Sequence, residues 1–274
     1  MIDKKVNALL MSNSSVSFLD GDSKGWCASY VDAMAEFLGP EFYDGDKKVL
    51  IIPHAQAGGR SLKEYSELAV KLLSNIGLTG SVCDFEDSKT QAESFANADA
   101  VVALGGNTYN LISAIPNFSQ LKYLVGSCGL KYMGISAGTN LAGHLMSPTN
   151  DDNWSNPSDL FGLNLLDGVS IKPHFQPRPM YFKDDAGVFQ PHCGETMHDR
   201  IEEGLQLSKF DDTKVIGLPV GGYLSVKDGS VVYGGFNSGS NYPDIDPVRV
   251  YFVSNGAVFF HTATKGSDIT RLLE

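Results

Sequence analysis

The chain has 274 residues, 42% of them apolar and 19% charged, which suits a soluble globular protein with a sizeable core. A net charge of −11 with no basic run excludes a nucleic-acid surface, which needs clustered Lys and Arg. No apolar run approaches the roughly 20 residues that span a bilayer, and residues 1–11 have too short an apolar core for a signal peptide. Cys27, Cys83, Cys128 and Cys193 form no Cys-x-x-Cys pair, so free thiols in a reducing cytoplasm are expected, with no zinc site and no disulfide framework.

In chain order, Val6 to Met11 is apolar enough for a first, central strand, followed by a polar turn at residues 12–15 and a Gly/Asp-rich loop. A helix is predicted over Ala28 to Leu38. Residues 48–53 are a short apolar run stopped by Pro53, the mark of a strand buried on both faces. Ser61-Leu-Lys-Glu64 is a capping box opening a helix whose apolar face carries Leu62, Tyr65, Leu68, Ala69, Leu72 and Leu73. Gly80 to Cys83 is a further strand, Thr90 to Asn97 a helix and Ala100 to Leu104 a third buried run. Leu130 to Met133 is a short buried strand, and a helix starts near Thr139. This alternation predicts a mainly parallel sheet covered on both faces, with its chemistry at the carboxyl ends of the strands. Val169 to His174 is another strand ending in a loop. Two C-terminal hairpins turn at Asp228-Gly229 and Asn255-Gly256 and are expected to extend the same sheet. The longest irregular regions, Pro148 to Asp167 and Pro173 to Gly194, come after the stretch with the clearest chemistry, and long loops in compact proteins are commonly functional.

That stretch is Gly134-Ile-Ser-Ala-Gly138, which fits Gly-x-Ser-x-Gly. The glycines admit a sharp strand-to-helix turn that lifts the serine oxygen clear of the backbone, above a helix N-terminus that favours negative charge. Ser136 is therefore the candidate nucleophile. The backbone N–H of Ala137 is a natural oxyanion donor, and Gly106, at the end of a neighbouring strand, offers a second. Six histidines compete as the base: His54, His144, His174, His192, His198 and His261. His174 stands out for its place at a strand end, and His54 follows the second strand. Asp151 and Asp152, 15 and 16 residues after Ser136, could each orient the base. In α/β-hydrolases the acid and histidine come much later in the chain, whereas His174 is only 38 residues on, which points to a different fold with the same elbow.

Several motifs in series resemble the peptidase E (aspartyl dipeptidase) family: Gly105-Gly-Asn-Thr108, residues 134–143, Thr149-Asn-Asp151, Lys172-Pro-His-Phe175, Gly194-Glu-Thr196 and Ile216-Gly-Leu-Pro219. The resemblance runs from the first strand to the hairpins and implies a single α/β domain over residues 1–274. The implied fold is the flavodoxin-like, three-layer sandwich of class I glutamine amidotransferases, with a mainly parallel sheet and C-terminal antiparallel hairpins. The implied activity is hydrolysis of dipeptides with an N-terminal aspartate, in the cytoplasm and without cofactor or metal. Ser136 is then the nucleophile, His174 the base and Asp151 the orienting acid, with Gly106, Ala137 and Asn107 binding substrate.

Two positions depart from the family. Val220 follows Gly-Leu-Pro where an acidic residue is common, which leaves Asp151 to partner the histidine. Met197 stands after Gly-Glu-Thr where an arginine is usual, so a changed specificity is expected, with Arg178 a substitute cation. A second reading is a catalytically weak relative that binds a peptide or acidic metabolite. A third is an esterase or amidase on the same scaffold.

Overall fold

The structure is a computed structural model. It describes residues 1–13, 28–56, 59–83, 88–115, 118–146, 160–176, 181–183, 189–191, 197–207, 213–235 and 246–274. The short apolar runs form β1 (Ala8–Met11), β2 (Val49–Ile52), β3 (Gly80–Val82), β4 (Ala100–Ala103) and β5 (Lys131–Ile135). They lie parallel in the order β3-β2-β4-β5-β1. A flavodoxin-like sheet runs 2-1-3-4-5. The same order appears here with the chain's first strand standing where the fifth would be.

The connections carry α1 (Ala28–Leu38), α2 (Pro40–Tyr43), α3 (Leu62–Ser74), α4 (Ser88–Ala96), α5 (Thr108–Ala114) and α6 (Phe118–Ser127). The capping box forms as expected: Ser61 Oγ accepts from Glu64 N, and the Glu64 carboxylate accepts from Ser61 N at 2.9 Å. Strand periodicity of two sorts side chains to opposite faces of the sheet. Leu9, Met11, Val49 and Ile51 pack against Tyr30 and Met34 of α1 and Tyr65 and Leu73 of α3. Leu10, Leu50, Ile52 and Val101 point the other way, toward Phe95 of α4, Leu111 of α5 and Leu121 of α6. Each such buried side chain contributes about 1.5–3 kcal/mol.

The second half adds α7 (Ala137–Ala142), β6 (Val169–Phe175), β7 (Tyr181–Lys183), β8 (Phe189–Pro191), α8 (Met197–Leu207), β9 (Lys214–Pro219), β10 (Gly222–Lys227) and β11 (Ser230–Gly235). It closes with β12 (Val248–Ser254), β13 (Ala257–Ala263) and α9 (Thr270–Leu273). The β10–β11 hairpin extends the central sheet as expected, with β10 antiparallel to β1, so that β1 becomes an interior strand of seven. The second hairpin departs from expectation. β12 and β13 join β9 and β6 in a separate four-stranded sheet of order β13-β12-β9-β6. The reason is burial: Ile171, Ile216 and Val250 of that sheet share the core beneath α4–α7, which an in-plane extension could not reach. Its other face packs Phe175, Val215 and Tyr251 against Ile201 and Leu205 of α8. Of the two regions read as irregular, the second contains the antiparallel β7–β8 pair.

Candidate active site

β5 ends at Ile135 and α7 begins at Ala137, so Ser136 occupies the turn itself, with φ 53° and ψ −108°. The glycine spacing follows from packing. A Cβ on Gly134 would stand 2.7 Å from Gly138 O, and one on Gly138 would overlap Ala103 O of β4. Polar bonds hold the turn from beneath. The Tyr132 hydroxyl donates to Gly138 O at 2.7 Å, and its burial pushes that phenol far above its ordinary pKa, so it remains a donor. Thr139 Oγ1 bridges Gly134 O and Met11 O at 2.8 and 2.6 Å, joining the turn to β1.

Among the described histidines, His174 is the one that reaches the serine. Its Nε2 lies 2.6 Å from Ser136 Oγ. The two residues come from different sheets, the serine from the end of β5 and the histidine from the end of β6. A register shift between Lys172 and Phe175 turns the strand there, and His174 adopts φ 56°, a left-handed conformation rare for a side-chain-bearing residue. A buried serine secures this turn. Ser12, at the end of β1, accepts from His174 N at 2.8 Å and donates to Leu218 O at 3.2 Å. Beside it the Asn13 amide oxygen accepts from Gly221 N at 2.9 Å and from the Tyr30 hydroxyl at 2.8 Å. Neither Ser12 nor Asn13 stands out as functional in the sequence. The one available signal is their position at the carboxyl end of a central strand.

The Gly105-Gly106 turn flanks the serine. A Cβ on Gly105 would lie 3.0 Å from Ser136 Cβ, and Gly106, at φ 132°, abuts Ala55 O so closely that any side chain would collide. Tyr65 donates to Gly105 O at 2.6 Å and fixes the turn. Asn107 caps α5: its Oδ1 accepts from Asn110 N at 3.0 Å, and its own N–H donates to Ala55 O at 2.8 Å. Ala137 is buried as the first residue of α7.

His54 is buried beyond the end of β2. His144 packs edge-on against Phe161, His198 bonds the Tyr251 hydroxyl and Glu202, and His261 stacks on Phe252. Asp151, Asp152, Arg178, His192 and the Gly194–Thr196 motif lie outside the described residues. Val220 follows Pro219, which pairs with Phe175 across β6–β9, and its side chain packs on the core cluster that includes Met11 and Tyr30. Met197 opens α8 and packs against the Phe175–Tyr251 cluster. Within that cluster Arg249 lies over the rings of Phe175 and Phe260, at 5.7 and 4.6 Å. Among the described residues no group of three His, Cys, Asp or Glu is arranged to hold a metal ion, and no helix is long and apolar enough to cross a membrane.

The family model described as Peptidase family S51 matches residues 8–233. The Peptidase E of a Nostoc species is 34% identical over 187 residues, covering 68% of this chain and 71% of that protein. The Peptidase E of Shigella flexneri is 29% identical over 232 residues, covering 84% and 90%. The structure of a putative peptidase E protein from Listeria monocytogenes superposes with TM-score 0.59 at 18% identity, over 85% of this chain and 99% of that one. A peptidase from an acI-B1 actinobacterium gives TM-score 0.60 at 15% identity, over 96% of each chain. At such identities the two structures speak for the fold.

Proposed function

The chain belongs to peptidase family S51, and from that premise we propose that it is a serine-type dipeptidase acting on short peptides with a free N-terminus, N-terminal aspartyl dipeptides foremost. The observation that carries this reading is the 2.6 Å contact between Ser136 Oγ and His174 Nε2, which suits a nucleophile and its base. His174 takes the hydroxyl proton as Ser136 attacks the peptide carbonyl. The N–H groups of Ala137 and Gly106 stabilise the oxyanion. The imidazolium then returns its proton to the leaving amine, and water hydrolyses the acyl-enzyme. Asp151 orients the imidazole, and Asn107 borders the substrate. Residues 1–274 act as one unit, in the cytoplasm, without metal or cofactor.

The test is hydrolysis of Asp-Leu beside Ala-Leu, Glu-Leu and Asn-Leu between pH about 6 and 9, where a histidine base is competent. Cleavage of Asp-Leu that disappears in Ser136→Ala supports the reading. Cleavage of the others instead moves the specificity away from aspartate, in keeping with apolar Met197. No cleavage of any substrate overturns the enzyme. The apolar side chains at Val220 and Met197 favour a second reading, a peptide-binding relative with little turnover. A fluorophosphonate probe separates the two, because an activated Ser136 becomes labelled and an inert one does not. Asp151→Ala should lose activity where Asp152→Ala retains it.

A further inference from the structure

Sheet edges expose unpaired N–H and C=O groups, and folded chains usually cover or blunt them. Of the four edges of the two larger sheets, three are managed among the described residues. Residues 266–269 cover β11: Ile269 N donates to Val231 O, Tyr233 N to Ser267 O and Gly266 N to Tyr233 O. At β6, His144 N donates to Val169 O and Leu145 N to Ser170 Oγ. β3 is only three residues long. β13 is different. It runs for seven residues, Ala-Val-Phe-Phe-His-Thr-Ala, with no Lys, Arg, Asp or Glu, no proline and no register shift against β12, and most of it is exposed. Phe259 and Phe260 are 50% and 39% exposed.

We propose that β13 is the interface of a twofold homodimer, formed by antiparallel pairing of β13 with the same strand of a second copy, centred on Phe260. The hairpin chemistry sets the register. Asn255 and Gly256 both have positive φ, 52° and 74°, and form a two-residue turn flanked by the Ser254–Ala257 pair. In such a hairpin the flanking pair exchanges hydrogen bonds, and alternate residues beyond it turn their N–H and C=O outward. On β13 the outward residues are Val258, Phe260 and Thr262.

A twofold axis at Phe260 pairs Phe260 with the partner's Phe260, and Val258 with the partner's Thr262. This register engages all three outward residues of each strand, and a shift in either direction leaves at least one unpaired. It also sets Phe259 opposite the partner's His261. Both rings already stack on Phe252, at 5.9 and 4.9 Å, so the partner's rings continue an aromatic ladder in place. Aromatic side chains offer about 150–250 Å² each, so pairing two half-exposed phenylalanines and their strand buries several hundred Å² per copy, roughly the small end of specific interfaces. An interface of that size suits a weak dimer in exchange with monomer.

Sedimentation velocity of the wild-type chain from about 1 to 100 μM should pass from monomer to dimer. Thr262→Pro removes an N–H that the β12 ladder does not use, and Phe259→Lys places charge on the ladder. Each should shift the midpoint upward at least tenfold while the circular dichroism spectrum is retained. Phe260→Cys tests the register, because hydrogen-bonded antiparallel partners lie about 5.5 Å apart between Cα atoms, within disulfide range. Under mild oxidation it should form a covalent dimer beyond any seen in the wild-type chain, and Val258→Cys should not. A chain that is monomeric throughout, or a dimer indifferent to Thr262→Pro and Phe259→Lys, overturns the proposal.

Discussion

At the residue scale the site depends on a hydrogen bond that lies behind the Ser136–His174 contact. His174 holds a left-handed backbone conformation, and Ser12 supplies the hydroxyl that its N–H needs while donating in turn to Leu218 O. Ser12→Ala leaves that N–H short of its acceptor, at a cost of about 1–3 kcal/mol. The expected outcome is a fall in kcat of about tenfold or more, with KM little changed and a parallel fall in the rate of fluorophosphonate labelling. Unchanged labelling would mean that the histidine needs no such anchor. Ser136 was legible in the sequence because a strained turn demands glycines at fixed offsets, and His174 because it stands at the end of a strand, where a loop begins. Ser12 was not, since its bond spans 162 residues and serine after a strand is common.

Among the elements, local chemistry translated most directly. The capping box, the buried runs and both Asx-Gly turns are set by neighbours in the chain, and each appears where the residues place it. Ser61→Ala should lower stability by about 1 kcal/mol in urea unfolding. The Ser61 hydroxyl and then its backbone N–H hold the Glu64 carboxyl below its ordinary pKa. A depressed folded pKa stabilises above the unfolded value, and that contribution is lost as pH falls through the folded one. Acid unfolding of Glu64→Gln should therefore depend less steeply on pH below about 4.5 than the wild type. Gly138→Ala, which drives a methyl into Ala103 O, should cost about 3 kcal/mol or more in the same measurement. What did not translate was the destination of the second hairpin. Its alternating pattern suits any sheet, and only the apolar residues of β6 and β9, distant in sequence, assign it to the smaller one. α5 and α6 were missed because Pro116 interrupts the apolar period between them.

For the molecule as a whole, a charge of −11 sets the terms on which two copies can meet. They repel at long range, and β13 brings no Lys, Arg, Asp or Glu to the contact. Added salt screens the repulsion and leaves strand pairing intact, so the proposed dimer should tighten as ionic strength rises from about 0.02 to 0.3 M. Weakening over that range, measured by sedimentation, would point to an ion-paired interface instead.

The placement of Ser136 and His174 on separate sheets also has a consequence for biosynthesis. A ribosome completes the elbow early, but the histidine strand lacks its sheet partner until β9 emerges. Its anchor, Ser12, must likewise await the return of the chain to β1 at Gly222, across 206 residues in the bond to Leu218. Contacts of such sequence separation form late in folding. A nascent or half-unfolded copy thus carries Ser136 without His174 beside it, and under the proposed mechanism it should not cleave the peptides around it.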